Sequence, residues 1–361
     1  MKLLVSAMEP SANKYLATLS EYMNGVELIG IGQPEVVPNS IYNSSDFAIM
    51  GFSSILPKIF FFKRAIKEMA MLSQEADGVL LVDAPAFNLR LAKKIKEINP
   101  KIKIFYYILP KIWAWGEKRK ASIETYTDYQ ISIFPFEKDY YTNPIYLGNP
   151  LVDEYPQTQT DFAKNQHIAF MPGSRKKEIT TLLPLFKQIK ERLNMPAIVV
   201  IPKHFTAEYI KGVYGDLSGF IVENDTKEAL QKSQFAFICS GTATLEASLI
   251  GIPFLLVYQM SKLDTIIINT IYKKKMQKLR YIGLANIIAN FAHESAIHPE
   301  FINPQDYEPI LKAYHNFDYS AYATSLIKLR ELLKNKNLAD NQNPQAQSSL
   351  QALAHQIQAR L

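Results

Sequence analysis

Three short stretches carry residues whose types and spacing could do chemistry. Val82-Asp83-Ala84-Pro85-Ala86-Phe87-Asn88 sets a carboxylate at the carboxyl end of an apolar run. A carboxylate there is costly unless paired or working, so Asp83 is a candidate general base. An aspartate that simply caps the next helix is the alternative. Met171-Pro172-Gly173-Ser174-Arg175-Lys176-Lys177-Glu178 follows a second apolar run and precedes helical sequence. Gly173 allows close backbone approach, Ser174 can cap, and Arg175 offers a guanidinium fork to a diphosphate. The third stretch runs from Phe235 to Gln259, where Ser240-Gly241-Thr242 makes a tight turn between an apolar run and the helical segment Ala243–Ile250. Such a turn aims unpaired amides and a positive helix end at a phosphate. Glu246 lies one turn on, on the Thr242 face, within reach of hydroxyls of the same ligand. Phosphate plus diol suggests a nucleotide. Thr242 as a plain cap and Glu246 as a plain partner of the helix dipole are the structural alternative.

Two further stretches are charged. Glu9, in Ala7-Met8-Glu9-Pro10-Ser11, sits at the carboxyl end of the first strand, either to bind acceptor hydroxyls or merely near a helix start. Phe60-Phe61-Phe62, flanked by Lys58, Lys63 and Arg64, puts aromatic bulk beside cations, which suits a headgroup region or an acyl chain. A buried amphipathic helix explains the aromatics equally well, but not the cations. A second basic cluster, Lys273–Lys275 with Lys278 and Arg280, reads as a solvated run. The six histidines show no metal-ligand spacing, and a single cysteine cannot build a thiolate site. No Ser-His-Asp nucleophile elbow is present, and no Gly-x-Gly-x-x-Gly follows the first strand.

The elements that must position these residues alternate β-α-β from the first strand, Lys2–Val5, onward, which argues parallel sheets covered by helices on both faces. At 361 residues, 48% hydrophobic and 20% charged, the chain is globular and long enough for two domains. A polar stretch, Tyr155–Gln166, separates two such series. The expected domains are 1–155, 165–317 and a helical segment 318–361 that could cross back to the first, with 335–349 loosely ordered. Within the first domain a helix is expected over Trp113–Tyr126. The two anion-facing turns fall at one sheet edge of the second domain, facing a cleft between the domains. The first residues are too short an apolar run for a signal peptide, and no segment approaches the length of a membrane span. Cys239 reads as a small core residue of a reducing compartment. The net charge of +6 suits an anionic ligand, an anionic membrane surface or nucleic acid, without choosing among them.

From Ser6 to about Pro299 the chain resembles the lipid-A-disaccharide synthase family, glycosyltransferases of the GT-B architecture with two Rossmann-like domains and parallel sheets facing across a cleft. The resemblance rests on Asp83-Ala84-Pro85 with Phe87-Asn88, Trp113-Ala114-Trp115, Phe134-Pro135-Phe136-Glu137-Lys138, Pro172-Gly173-Ser174-Arg175, Ser240-Gly241-Thr242-Ala243-Thr244-Leu245-Glu246 and Tyr281-Ile282-Gly283-Leu284-Ala285-Asn286. It implies transfer of diacylglucosamine from its UDP derivative to diacylglucosamine 1-phosphate, giving the β-1,6-linked lipid A disaccharide precursor and UDP. It implies no cofactor and no metal, with Arg175 and helix-end amides stabilising the leaving diphosphate. Asp83 matches the family's proposed base, and Asn286 a position near the sugar donor. The chain departs from the family pattern at Met8, Ala12-Asn13, Ala86, Asn149 and Ala285; the first two fall on the acceptor side. The expected setting is cytoplasmic, peripheral on the inner membrane, with no nucleic acid partner and a homodimer left open. A UDP-sugar epimerase, a non-catalytic two-domain binder and a transferase using a soluble acceptor are the rival readings.

Overall fold

The computed structural model describes residues 1–49, 55–114, 116–158, 165–260, 280–334 and 348–361. The chain forms two units, Met1–Asp153 with Leu333–Leu361, and Glu154–Leu332. The basic cluster 273–278 and most of the polar stretch 335–349 lie outside the described residues.

Seven parallel strands build the first unit: β1 Lys2–Ala7, β2 Glu27–Gly32, β3 Asn39–Asn43, β4 Gly78–Val82, β5 Lys103–Tyr107, β6 Tyr129–Ser132 and β7 Ile145–Tyr146. Their order is β3-β2-β1-β4-β5-β6-β7. The second unit holds β8 His167–Met171, β9 Ala197–Val200, β10 Phe220–Glu223, β11 Ser233–Ile238, β12 Phe254–Tyr258 and β13 Glu300–Ile302, in the order β10-β9-β8-β11-β12-β13. Every pairing there is parallel too. Continuous apolar runs such as Gly78–Val82, buried at every position, are what a sheet covered on both faces requires.

Both sheets have the doubly wound order, in which the direction of strand addition reverses between the first and fourth strands. The crevice beyond the carboxyl ends at that reversal is where such sheets take ligands. Glu9 follows β1 and Asp83 follows β4; Gly173–Arg175 follows β8 and Ser240–Thr242 follows β11. The residues of chemical interest therefore flank the reversal in each unit.

Each sheet is covered by its helices. In the first unit, one face carries the helices Pro10–Glu21 and Ser349–Gln358, the latter burying Leu350, Leu353 and Ile357 against β1 and β4 side chains. The other face carries Ile55–Leu72 and Pro85–Ile98. The return to the first unit is thus made by Ser349–Gln358, fastened where Asp153 accepts Ser349 N at 2.8 Å. Tyr319–Leu333, by contrast, starts within the second unit, with the buried Tyr322 hydroxyl donating to Ile252 O at 2.6 Å. The boundary expected at 317 accordingly moves to about 332.

Two strands escape the sequence pattern. β3 is polar and half-exposed at a sheet edge, and β13 has three residues. The helix expected over Trp113–Tyr126 begins only at Arg119. Gly116 at φ +77 interrupts it, and the Trp113 ring is held elsewhere, its Nε1 donating to Glu137 at 3.2 Å.

Candidate active site

In the first unit, Asp83 ends β4 on a left-handed turn: φ is +48 at Asp83 and +44 at Ala84. Two consecutive non-glycine residues in this region are strained and must be held. The hold is visible. Asp83 N donates to Tyr107 O at 2.9 Å, and the Asp83 carbonyl accepts Tyr106 Oη at 2.6 Å and Asn88 Nδ2 at 2.8 Å. Asn88 Nδ2 also donates to Val82 O at 3.1 Å. Asn88, fully buried, is therefore the clamp of this turn.

The β1 turn uses the same device. Asn13 Nδ2 donates to Ala7 O and Glu9 O, each at 2.9 Å, while its Oδ1 accepts Gln33 N at 2.7 Å. Both clamps stand three residues after a proline at a helix start, Pro10 to Asn13 and Pro85 to Asn88, a spacing legible in the sequence. Neither proline has an amide to lose at that position.

Asp83 is half-buried, and its desolvation pushes the carboxyl up to about 6, with the negative charge of Glu9 adding to the rise and Lys111 opposing it. Glu9 itself is exposed and heads the helix Pro10–Glu21. A carboxylate of this basicity is suited to take a proton near neutral pH. Lys111 carried no sequence signal. It sits on a turn tied down by Tyr141 Oη, which donates to Pro110 O at 2.7 Å, and by Trp113 on Glu137. Glu137 is fully buried, and burial pushes it up to about 8.

In the second unit, the Gly173–Arg175 and Ser240–Thr242 turns are neighbours. β8 and β11 pair side by side, Cys239 N donates to Met171 O at 2.9 Å, and a Cβ on Gly173 would come within 3.3 Å of Cys239 Sγ. Gly173 and Gly241 have φ of +101 and +110, which only glycine adopts freely. Cys239 is a free, buried thiol, pushed up to about 12 by burial and then by the charge of Glu178. Arg175 is exposed, and so are Ser174, Gly241 and Thr242; Ser240 and Glu246 are half-buried. Glu246 stands one turn into the helix Thr242–Ile250, and after burial itself it is the main cause raising the Tyr155 phenol.

Ser174 does not cap. The N-cap is Arg175, whose amide donates to the carboxylate of Glu178 at 3.2 Å; arginine has no acceptor to return the bond, so Glu178 supplies only the glutamate half of a capping box.

Asn286, expected near the sugar donor, lies inside the second unit. It is fully buried, with Nδ2 donating to His298 O and Glu300 Oε1, each at 2.8 Å, and Oδ1 accepting Ile297 N at 2.7 Å and His298 N at 3.2 Å. With both ends of the amide engaged it is a hub rather than a ligand-facing group. Glu300, raised by burial, also accepts Ile282 N at 2.9 Å and Gly283 N at 3.1 Å. The adjacent Leu284 N donates to Thr244 Oγ1, whose hydroxyl donates to Gly241 O at 2.9 Å, so this hub leads into the Ser240–Thr242 turn.

The aromatic segment divides by helical phase. Phe61 and Phe62 are half-buried, with ring centroids 5.1 and 5.5 Å from Phe47, and Phe62 lies 5.8 Å from Phe87. Phe60 is 69% exposed, on a face shared with Lys63, Lys67 and the half-exposed Met71. Arg64 is engaged with Glu68 at 2.7 Å, which also accepts the Tyr42 hydroxyl. Among the described residues no helix is long and apolar enough to cross a membrane, and no group of three or more His, Cys, Asp or Glu is gathered as metal ligands would be.

Two doubly wound parallel-sheet units in tandem are the GT-B architecture, the class to which the fold assigns the chain. The solved structures agree on the fold: MurG from Acinetobacter baumannii (TM-score 0.55, 12% identity, 99% of each chain) and the glycosyltransferase SnogD from Streptomyces nogalater (TM-score 0.57, 11% identity, 100% of this chain and 99% of that one). The UDP-GlcNAc 2-epimerase of Neisseria meningitidis shares it at TM-score 0.53 and 11% identity over the whole of both chains. Sequence is more specific. The lipid-A-disaccharide synthetase family model matches residues 3–357. Lipid-A-disaccharide synthases of Campylobacter jejuni and Helicobacter pylori strain G27 are 42% and 40% identical, over 93% and 92% of this chain and 97% and 94% of theirs. The chain belongs to the lipid-A-disaccharide synthase family, and is a GT-B glycosyltransferase of lipid A disaccharide synthesis.

Proposed function

We propose that the enzyme transfers the glucosaminyl unit of UDP-2,3-diacylglucosamine to the 6-hydroxyl of 2,3-diacylglucosamine 1-phosphate, yielding the β-1,6-linked lipid A disaccharide 1-phosphate and UDP. The observation that carries the reading is Asp83, a carboxylate raised to about 6 and fixed on a strained turn at a sheet reversal. Asp83 takes the proton of the acceptor hydroxyl as its oxygen attacks the anomeric carbon in line. The bond from that carbon to the diphosphate oxygen breaks with its electron pair, which leaves on UDP, and the configuration inverts. Arg175 and the amides of the Ser240–Thr242 turn bear the developing charge. Glu246 accepts from the ribose hydroxyls. Glu9 binds acceptor hydroxyls and, by its charge, keeps Asp83 basic. Asn286 acts at one remove, holding the segment that supports the Ser240–Thr242 turn.

Acylated substrates of this kind suit an enzyme that works as a peripheral protein at the cytoplasmic face of the inner membrane. The exposed face Phe60, Lys63, Lys67, Met71 supports this, since it sets apolar ends around cations, a pattern suited to anionic headgroups. UDP release from the acylated donor tests the substrate assignment. It should require the acylated sugar phosphate; equal release from donor alone, or from an unacylated donor, contradicts it.

A further inference from the structure

The amides of the Gly173–Arg175 turn, which the sequence reading offers to a diphosphate, already hold an anion of the chain's own. Glu178 Oε2 accepts Ser174 N at 3.3 Å and Arg175 N at 3.2 Å, and its Oε1 accepts Arg175 Nη1 at 2.7 Å. The carboxylate side chain is 12% exposed, whereas that of Arg175 is 79% exposed. The turn is cut to fit this carboxylate. A Cβ at position 173 would lie 2.5 Å from Glu178 Oε2 and 3.0 Å from its Cβ, so glycine is needed for packing as well as for φ. Two backbone donors and one guanidinium corner converging on one carboxylate make a filled nest.

This arrangement changes what the turn presents outward. Its Ser174 and Arg175 amides are occupied, and Arg175 adds a guanidinium with one N–H engaged and the rest of its five donors unused by Glu178. We propose that Glu178 is a positioning residue: it fills the turn and anchors one corner of Arg175, so that the rest of the fork is pre-aimed at a nucleoside diphosphate. An unanchored arginine would lose its rotamer freedom on binding, and prior anchoring reduces that loss. The inference rests on the reading above that Arg175 meets the diphosphate. A competing role, in which Glu178 repels the diphosphate or blocks the turn, predicts the opposite sign on its removal.

A double-mutant cycle on UDP binding separates these, read by calorimetry on the full-length chain with Glu178→Gln, Arg175→Ala and the pair. Glutamine keeps the size and an acceptor oxygen but not the charge. Glu178→Gln should weaken UDP binding about five- to tenfold, and should add nothing in the Arg175→Ala background, with Tm little changed. If Glu178→Gln unfolds, Glu178→Asp, too short to reach both the amides and the guanidinium, carries the same expectation. Unchanged or tighter binding by Glu178→Gln, with Arg175→Ala weakened, overturns the positioning role alone. An equal loss in both backgrounds also overturns it, leaving Glu178 a support of the turn. A wild-type chain that fails to bind UDP, or an Arg175→Ala variant that binds as well as wild type, overturns the donor-site reading and this inference with it.

Discussion

The buried hydroxyl of Tyr106 donates to the main-chain carbonyl of Asp83 at 2.6 Å, the same oxygen that Asn88 Nδ2 reaches at 2.8 Å. Two donors on one carbonyl fix the peptide between two left-handed residues, and so fix where the Asp83 side chain leaves the strand. Each strained residue costs about 1–3 kcal/mol that the surroundings must offset. Asn88→Ala removes one donor and leaves the Val82 carbonyl short of one as well. It should cost about 1–3 kcal/mol in stability and lower kcat about tenfold or more with UDP affinity unchanged. Denaturant unfolding together with steady-state kinetics checks both parts; a loss of stability with kcat intact would make Asn88 a clamp of the fold only.

The pH dependence follows from the raised carboxyl. With Asp83 at about 6, kcat/KM should fall on the acid side through an apparent pKa near that value. Glu9→Gln removes a charge that raises Asp83 and should move the limb to lower pH; Lys111→Met removes one that lowers it and should move the limb to higher pH. Opposite displacements of the two variants are the diagnostic outcome of the pH–rate profiles.

Glu137 gives a separate signal, in stability. Its ordinary value of 4.5 is pushed up to about 8 by burial, so the folded chain keeps a proton that the unfolded chain loses. The stability this contributes is complete below about pH 4.5 and is lost as pH rises through about 8. Glu137→Gln, neutral at every pH, should flatten that part of the decline, as read from unfolding free energies between pH 5 and 9. An unchanged slope would mean that Glu137 does not titrate in this window.

The aromatic segment predicts two phenotypes rather than one. Phe60→Ser should weaken binding to anionic liposomes with little change in Tm, because the ring is exposed. Phe62→Ser should instead cost about 2–4 kcal/mol, because its ring packs between Phe47 and Phe87. Liposome flotation and thermal unfolding of the two variants distinguish these roles.

What could be read from the sequence follows from the range of the interactions involved. The apolar runs ending at Val82, Met171 and Ile238, each followed by a turn residue, announced parallel strands and placed Asp83, Arg175 and Thr242 at their carboxyl ends. Strand order then made the Gly173 and Gly241 turns neighbours. Contacts between distant segments were not legible. Nothing local tells that Asn286 is saturated by Ile297, His298 and Glu300, or that Trp113 leaves its expected helix for Glu137. The Phe60–Arg64 reading treated five consecutive residues as one surface, whereas helical phase turns Phe61 and Phe62 inward. Glu178 stands where a capping-box glutamate belongs, three residues into its helix, but only the coordinates show it filling the turn.

Product analysis by mass tests the central claim most directly. Both acylated substrates are mixed with the wild-type chain and, separately, with Asp83→Asn. The wild type should yield the tetraacylated disaccharide 1-phosphate together with UDP, and Asp83→Asn should yield neither while still binding UDP. Disaccharide formed by Asp83→Asn at the wild-type rate, or UDP formed by the wild type without any disaccharide, would contradict the account.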